Sequence, residues 1–203
     1  GTKSVQLPMR VKSVGENLIT NGNGEFGLKG WLPHLKATEL KVLKNGGFSF
    51  KRTSSAAFDG MKTKLYLEKG IYWVRISNLY HSENSALRIH LGVSNSGIKP
   101  ERIGFIEPKS TGILSFEVKK SNYYDIIVVN PVTNSTQHFG EFSVSSKKPE
   151  KYMAGVKSNL YLNNNLELKS VGEVKDYIEN GKLYKNISDE GEILEKTEVV
   201  NLS

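Results

Sequence analysis

Residues 61–80, MKTKLYLEKGIYWVRISNLY, alternate apolar and polar side chains on both sides of a short turn at 68–70. In the second half of this stretch Tyr72, Val74 and Ile76 form one apolar row. A period of two residues is typical of a strand with one buried face, because successive side chains of a strand point to opposite faces. The stretch therefore predicts two consecutive half-buried strands.

The same period of two recurs along residues 38–146. The further runs are TELKVLK (38–44), GFSFKR (47–52), ALRIHLGVS (86–94), GILSFEVKK (112–120), YYDIIVVN (123–130) and EFSVSS (141–146). Segments rich in Gly, Asn, Ser and Pro separate them, and these residues favour turns. With ENLIT (16–20) ahead of them, the runs predict about nine short strands and no helix, which is typical of an all-β sandwich.

The composition excludes several classes of protein. A chain of 203 residues with 37% hydrophobic and 24% charged residues is long and apolar enough to bury a core. No apolar run approaches the roughly 20 residues of a membrane span, and no signal peptide opens this segment. The absence of cysteine excludes disulfides, thiolate nucleophiles and cysteine metal sites. The net charge of +7 favours anionic partners, but the lysines are scattered, so we expect neither nucleic-acid binding nor membrane insertion.

The glycines of NGNGEFG (21–27) have the spacing of a dinucleotide-binding fingerprint, Gly22-x-Gly24-x-x-Gly27. That fingerprint needs a strand before it and a helix after it. Gly30 and Pro33 interrupt any helix here, so the sequence predicts a bending loop and no nucleotide site.

The segment NLITNGNGEFGLKGW (17–31) resembles the opening strand of jelly-roll carbohydrate-binding modules. The matching positions are Asn17, Leu18, Ile19, Asn21, Gly22, Glu25, Gly27, Gly30 and Trp31. Gly24 replaces the usual Phe, while LEKGIYWVRIS (67–77) and FGEFSVS (139–145) lie where that family has its central and last strands. The resemblance covers about 17–146 and implies a jelly-roll β-sandwich. The family also includes jelly rolls that bind no sugar.

The same resemblance implies a structural calcium ion. In many members the glutamate of the opening motif holds the ion with backbone carbonyls and an acid on the last strand. Glu25 matches the glutamate and Glu141 lies roughly where the acid would be. Oxygen ligands suit calcium. The alternative is that Glu25 caps backbone amides in the glycine-rich loop.

The segment at 158–187, which contains LYLNNNLELKSVGEVKDYIENGKLYKNI, resembles a connector of phage and prophage tail or minor structural proteins of Gram-positive hosts. The matching positions are Leu168, Lys169, Ser170, Val171, Gly172, Val174, Lys175, Asp176 and Ile178, with an Asn180-Gly181-Lys182 turn. The resemblance implies a place in a virion tail, extracellular after assembly, and contacts with other tail subunits. Tail appendages are commonly oligomers, and the polar C-terminal region fits a contact between copies of the chain.

Together the two resemblances divide the chain into three parts: an N-terminal connector (1–15), a jelly-roll carbohydrate-binding-like domain (16–147) and a C-terminal linker with the tail-like connector (148–203). VKSVGE (11–16) and LKSVGE (168–173) bracket the sandwich. We interpret this repeat as two copies of a connecting element with the sandwich inserted between them.

Outward-pointing residues of four strand runs form the candidate binding face. If these strands share a sheet, that face gathers Trp73, Arg75, Arg88, His90, Glu117, Tyr123 and Asp125. An aromatic ring stacks on a sugar, and charged groups hydrogen-bond its hydroxyls. One alternative site is the loop edge near Trp31, Tyr80 and His81, although Trp31 more often serves packing at its motif position. The other alternative is no sugar site, with Trp73 covered by the flanks.

The sequence shows no arrangement typical of an enzyme. Histidines 34, 81, 90 and 138 lack metal-ligand spacing, and no G-x-S-x-G elbow is present. Glu117 and Asp125 remain a candidate carboxylate pair for glycoside hydrolysis, since their separation is unknown from sequence. We predict a non-catalytic phage or prophage tail module that binds a bacterial cell-surface carbohydrate. The alternative is an architectural tail or baseplate domain that makes subunit contacts and has no glycan ligand.

Overall fold

The computed structural model describes the backbone in eight segments, and side chains in two of them. The backbone segments are 8–10, 17–55, 58–154, 159–162, 168–170, 177–179, 182–187 and 193–198, and side chains are described for 17–55 and 58–154. All regular elements of these segments are strands. No helix in this part of the chain is long and apolar enough to span a membrane.

Sixteen strands follow one another along the described chain. They are β1 (Pro8–Arg10), β2 (Trp31–His34), β3 (Thr38–Val42), β4 (Phe48–Arg52), β5 (Gly60–Leu67), β6 (Gly70–His81), β7 (Leu87–Val93), β8 (Glu101–Ile106), β9 (Thr111–Val118), β10 (Asn122–Val129), β11 (Ser135–Ser145), β12 (Asn159–Leu162), β13 (Leu168–Ser170), β14 (Tyr177–Glu179), β15 (Lys182–Ile187) and β16 (Ile193–Glu198).

Strands β2 to β11 form two five-stranded antiparallel sheets. The first sheet has the order β2-β5-β10-β7-β8, and the second sheet has the order β3-β4-β11-β6-β9. The chain passes repeatedly from one sheet to the other, as between β4 and β5 and between β10 and β11, which is typical of a jelly roll. The predicted all-β jelly-roll sandwich is confirmed.

Short flanking strands form two further three-stranded sheets, β1-β12-β13 and β14-β15-β16. β1 pairs antiparallel with β12, so a segment before the sandwich lies beside a segment after it. The prediction of short strand-like flanks is therefore confirmed for the described residues. Residues 11–16 of the repeated motif and nearly half of the tail-like connector, namely 158, 163–167, 171–176 and 180–181, lie outside them. The boundaries at 15/16 and 147/148 stay predictions.

The inner faces of both sheets supply the core, because period-two alternation points every second side chain inward. In β6 the inward row is Tyr72, Val74 and Ile76, as the sequence predicted. In β10 the inward residues are Ile126 and Val128, each 0% exposed. The two sheets therefore pack face to face through apolar side chains.

An aromatic cluster joins the two sheets at the centre of this core. The Trp31 ring lies 5.0 Å from Phe48, 5.5 Å from Phe139 and 5.6 Å from Phe142, measured between ring centroids. Its indole Nε1 donates a hydrogen bond to the Asn21 carbonyl oxygen at 2.7 Å. Because only 4% of Trp31 is exposed, the packing role expected for it is confirmed.

The opening loop is attached to β11 by Asn17. Its Oδ1 accepts hydrogen bonds from the Ile19 and Val144 amides, and its Nδ2 donates to the Phe142 carbonyl. Gly22 lies so close to this strand that a Cβ there would be 2.0 Å from the Phe142 oxygen. The glycine-rich motif thus serves close packing of a loop, in agreement with the exclusion of a nucleotide site.

We expect Phe139→Ala to destabilise the sandwich by about 3–5 kcal/mol, because it leaves a cavity beside Trp31 at a site that is 0% exposed. Urea unfolding followed by tryptophan fluorescence measures the change. Phe105→Ala is the matched control, since Phe105 is 54% exposed, and it should cost less than about 1 kcal/mol. Equal losses for the two variants would contradict the proposed centre of the core.

Candidate functional site

The structure divides the predicted binding residues between two outer faces. The second sheet carries Trp73, Arg75 and Glu117. The first sheet carries Arg88, His90, Tyr123 and Asp125. The assumption that these strands share a sheet was wrong, because the chain changes sheet between β6 and β7 and again between β9 and β10. Glu117 and Asp125, the candidate carboxylate pair, therefore face opposite sides of the sandwich.

On the second sheet, the segment after β11 folds back over the outer face. The Lys147 amide donates to the Ser145 hydroxyl oxygen at 3.1 Å, and Lys148 Nζ lies 5.5 Å from the centroid of the Trp73 ring. Further along, the Tyr152 hydroxyl donates to Glu25. Trp73 is half-buried in this arrangement. A flanking residue thus covers part of its ring, as the alternative interpretation expected.

Arg75, the neighbouring candidate, is engaged by a carboxylate of its own sheet. Its Nη1 lies 3.3 Å from Glu141 Oε2, and the Ser77 hydroxyl donates to the same oxygen at 3.2 Å. Only 13% of the Arg75 side chain is exposed. The Glu141 side chain is 45% exposed, so solvent partly screens this pair. Arg75 is therefore held by Glu141 and is not poised for a ligand.

The loop-edge alternative is not assembled as expected. His81 is buried and its Nε2 lies 2.9 Å from the Asn130 Oδ1 atom, while Trp31 belongs to the core. Tyr80 is the one residue of this trio that is exposed, at 44%, and its ring packs on His138 with centroids 4.9 Å apart. A single tyrosine makes a poor sugar platform.

The calcium expectation concerns Glu25 and Glu141, which the fold brings into one neighbourhood beside Tyr152. Burial, and then the charges of Glu25 and Glu141, raise the pKa of Tyr152. The Glu25 carboxylate already accepts hydrogen bonds from the Asn23 amide, at 2.9 Å, and from Tyr152. Within the described residues, no group of three or more His, Cys, Asp or Glu side chains could hold a metal. Arg75 engages Glu141 as well, so both carboxylates already have partners, and the calcium site stays a prediction.

The outer face of the first sheet is centred on β10, whose outward residues are Tyr123, Asp125, Ile127 and Val129. The register places their outward neighbours on both sides. From β5 they are Tyr66, Lys64 and Lys62, and from β7 they are Gly92, His90 and Arg88. β8 extends the face with Arg102 opposite His90 and Phe105 opposite Arg88.

Two tyrosines form an exposed aromatic ledge on this face. The rings of Tyr66 and Tyr123 meet edge to face, with centroids 5.1 Å apart and planes at 66°. They are 54% and 53% exposed, and Lys64 Nζ lies 4.9 Å from the Tyr123 centroid. Edge-to-face and cation–π contacts hold both rings in place. The ledge is therefore an ordered apolar surface open to solvent.

Charged groups continue the face beside this ledge. Lys62 Nζ lies 3.7 Å from Asp125 Oδ2, and both groups are partly exposed. Towards the other end of the face, the Arg88 guanidinium carbon lies 5.2 Å from the centroid of the Phe58 ring. Rings and ionic groups thus alternate across the sheet, which is the combination that polyhydroxylated ligands require.

His90 occupies the middle of the face in an unfavourable setting for a cation. Burial, followed by the charges of Arg88, His34, Arg102 and Lys99, lowers the pKa of His90 to about 4. Its Nε2 is buried and has no hydrogen-bond partner among the described residues. His90 is therefore a neutral ring at neutral pH.

Sequence reasoning missed part of this face. Alternation in MKTKLYLE places Lys62, Lys64 and Tyr66 on one side of β5, but only the pairing of β5 with β10 shows that Tyr66 meets Tyr123. Arg102 and Phe105 lie in a stretch, SNSGIKPERIGF (94–105), in which turn residues obscured the strand signal.

No protein-family model matches this sequence, and no curated protein matches it. Similar solved structures include the CBM22-1 xylan-binding domain of Xyn10C from Paenibacillus barcinonensis, with 9% identity, a TM-score of 0.48, and coverage of 66% of this chain and 97% of that chain. The Clostridium thermocellum endo-1,4-β-D-xylanase 10B CBM22-1–GH10 modules, complexed with xylohexaose, have 15% identity and a TM-score of 0.46, covering 66% of this chain and 29% of that chain. The enzymatically active domain of bacteriophage CBA120 tailspike protein 4 has 9% identity and a TM-score of 0.45, covering 64% of this chain and 21% of that chain. The chain thus spans less than a third of the length of the last two structures.

We expect neither EDTA nor millimolar CaCl2 to change the melting temperature of the protein, because Tyr152, Arg75 and Ser77 already engage the carboxylates of Glu25 and Glu141. Differential scanning fluorimetry checks this. Arg75→Met tests the reason: without the guanidinium, Glu141 gains room for a cation. A calcium-dependent rise of several degrees in the unmodified protein would restore the calcium site that the resemblance implies.

Because the pKa of His90 is lowered to about 4, the unfolded chain takes up a proton below about pH 6.5 that the folded protein refuses. The contribution of His90 to the free energy of unfolding is therefore fully present near neutral pH, and it is lost as the pH falls from about 6.5 towards 4. His90→Gln should shrink the loss of unfolding free energy between pH 7 and pH 4.5, measured by urea titration. The unfolding free energy at pH 7 is subtracted for each protein, which removes any effect of the substitution on packing. An equal loss of unfolding free energy in the variant and the unmodified protein would contradict the lowered pKa of His90.

Proposed function

We propose that this chain is a non-catalytic module that binds a bacterial cell-surface carbohydrate on the outer face of its first sheet. The observation that carries the proposal is the exposed Tyr66–Tyr123 ledge beside the Lys62–Asp125 pair. Half-exposed rings on a rigid sheet offer an apolar surface at low entropic cost, since their backbone is already fixed. The site is thus an open platform suited to a chain of sugars.

The chemistry of the ledge matches that of a pyranose. The apolar side of a sugar ring stacks on a tyrosine, while Lys64 and Asp125 lie within the same rows and can hydrogen-bond its hydroxyls. A carboxylate accepts and an ammonium donates, so both hydrogen-bonding roles of a hydroxyl are met. Specific orientation of the sugar follows from this pairing of a flat apolar surface with fixed polar groups.

The first sheet is favoured over the second by what already occupies the second. Lys148 covers part of Trp73 and Glu141 engages Arg75, so a ligand there would have to displace contacts within the protein. On the first sheet, Tyr66 and Tyr123 are more than half exposed, and among the described side chains their ring contacts are with each other and with Lys64. Of the residues expected to bind sugar, Tyr123, Asp125, His90 and Arg88 therefore remain candidates.

The biological setting of the proposal rests on the resemblance at 158–187. A connector like those of phage and prophage tail proteins supports a module carried on a virion tail, outside the cell after assembly, with other tail subunits as partners. The sandwich would then present its platform to the wall of a Gram-positive host. The non-catalytic part of the proposal is supported by the division of Glu117 and Asp125 between opposite faces.

Two observations favour an architectural domain as the second candidate function. β1 pairs with β12, which ties the chain before the sandwich to the chain after it, and the 147–152 segment packs on the second sheet. Such flanks suit a spacer or subunit contact in a larger assembly, including an oligomer. An architectural domain needs no ligand on the first sheet. A binding experiment therefore distinguishes it from the carbohydrate-binding module.

We expect Tyr123→Ala and Tyr66→Ala each to weaken binding to Gram-positive cell walls about tenfold or more, or roughly 1.4 kcal/mol, because each removes half of the stacking surface. Sedimentation of the purified full chain with intact walls, followed by a glycan array, measures the affinity. Tyr80→Ala is the matched control, since Tyr80 is 44% exposed on the opposite face, and it should bind as the unmodified protein does.

Two outcomes would contradict the proposal. Equal loss in all three tyrosine variants, with circular dichroism unchanged, would place binding elsewhere or make it non-specific. Absence of saturable binding to walls and glycans at high protein concentration would favour the architectural candidate.

A further inference from the structure

We propose that the glycan bound by the first sheet carries repeated negative charges, as carboxylates or phosphodiesters along its chain. This inference rests on the proposed function and specifies the class of ligand. The chemistry that would recognise it is an unbalanced row of cations running across the sheet beside the aromatic ledge.

The outward positions of β5, β10, β7 and β8 hold more cations than acids. The cations are Lys62, Lys64, Arg88 and Arg102. The described carboxylate in those outward rows is Asp125, which lies 3.7 Å from Lys62. Lys64 and Arg102 are exposed and have no ion-pair partner among the residues whose side chains are described. The face thus carries a local excess of positive charge.

The second sheet shows that this excess is a property of one face. There Lys51 Nζ lies 3.8 Å from Glu39 and Arg75 Nη1 lies 3.3 Å from Glu141. Glu117 adds an exposed carboxylate to the same outer face. Among the described strand residues that point outward, the excess of cations therefore lies on the first sheet.

The pKa values of both histidines on the first face, His34 and His90, are lowered by burial and, to a smaller extent, by nearby cations. Burial and then Lys62 lower the pKa of His34, while burial and then a group led by Arg88 lower that of His90. Asp125 and Asp59 oppose the shift at His34 without reversing it. Anionic groups over this region would lie near Lys64 and Arg102, the two exposed cations that have no ion-pair partner among the described side chains.

The spacing of the cations selects a polymer over a small anion. Lys64 on β5 and Arg102 on β8 are separated by three strand positions, or roughly 14 Å at the usual spacing of strands. A single carboxylate or phosphate cannot reach both groups. An extended chain that crosses the strands can place successive charges on them while its sugars meet Tyr66 and Tyr123.

The test compares polymers that differ in charge. The probes are polygalacturonic acid, its carboxyl-reduced neutral form and poly(glycerol phosphate), each titrated into the full chain by isothermal calorimetry at low and high salt. The test variant is one protein that carries both Lys64→Gln and Arg102→Gln. The matched control pair is Lys41→Gln with Lys119→Gln, two exposed lysines at the second sheet.

We expect the unmodified protein to bind at least one charged polymer about tenfold more tightly than the neutral form, with a loss of affinity as salt screens exposed charges. The Lys64/Arg102 pair should bind that polymer about tenfold more weakly at low salt, and the control pair should match the unmodified protein. Preference for polygalacturonate or for poly(glycerol phosphate) identifies which anion the face reads.

Three results would overturn the inference, and they separate it from the proposed function. Equal binding of neutral and charged polymers would leave a glycan-binding face and remove its charge selectivity. Equal losses in the variant and control pairs, with oligo(dT) bound as tightly as the polysaccharide, would reveal general attraction to polyanions. Absence of binding to any polymer and to intact cell walls would remove both the inference and the proposed function.

Discussion

The contact of Trp31 with Phe48, Phe139 and Phe142 joins the two sheets, and the rest of the sandwich is arranged around it. Trp31 begins a strand of the first sheet, whereas Phe48, Phe139 and Phe142 belong to the second. Because these rings fill the space between the sheets, every strand that crosses the core must turn its apolar row inward. The alternate rows then point outward and form the two outer faces, which include the apolar Ile127 and Val129 of β10 beside charged residues.

The two outer faces have nonetheless become different surfaces. On the second sheet, Arg75 meets Glu141 and Lys148 lies over Trp73, so groups capable of binding are used within the protein. On the first sheet, Tyr66 and Tyr123 remain open to solvent. Part of the difference is that Lys148, from the segment after β11, lies over Trp73 on the second sheet. A surface becomes available for a ligand where the protein leaves its own groups unpaired.

Local sequence specified the direction of each side chain but not the sheet to which it belongs. Alternation correctly placed Tyr72 and Ile76 inward and Tyr123 outward, because a period of two depends only on the strand itself. Sheet membership depends on pairing between distant strands, such as β10 with β5, which no short window contains. That is why one expected face became two, and why Tyr66 was overlooked. The resemblance to carbohydrate-binding modules identified the fold and the packing of Trp31, whereas the calcium site that it implies stays a prediction.

The pairing of β1 with β12 has a consequence for how such a chain changes over evolutionary time. The chain departs at Arg10 and returns beside it at Asn159, so the entry and exit of everything between them are adjacent. Domains with adjacent ends can be inserted into or removed from a host chain with little disturbance of its path. The intervening sandwich therefore behaves as a cassette. Recombination could exchange the sandwich for another domain while the flanking strands stay paired.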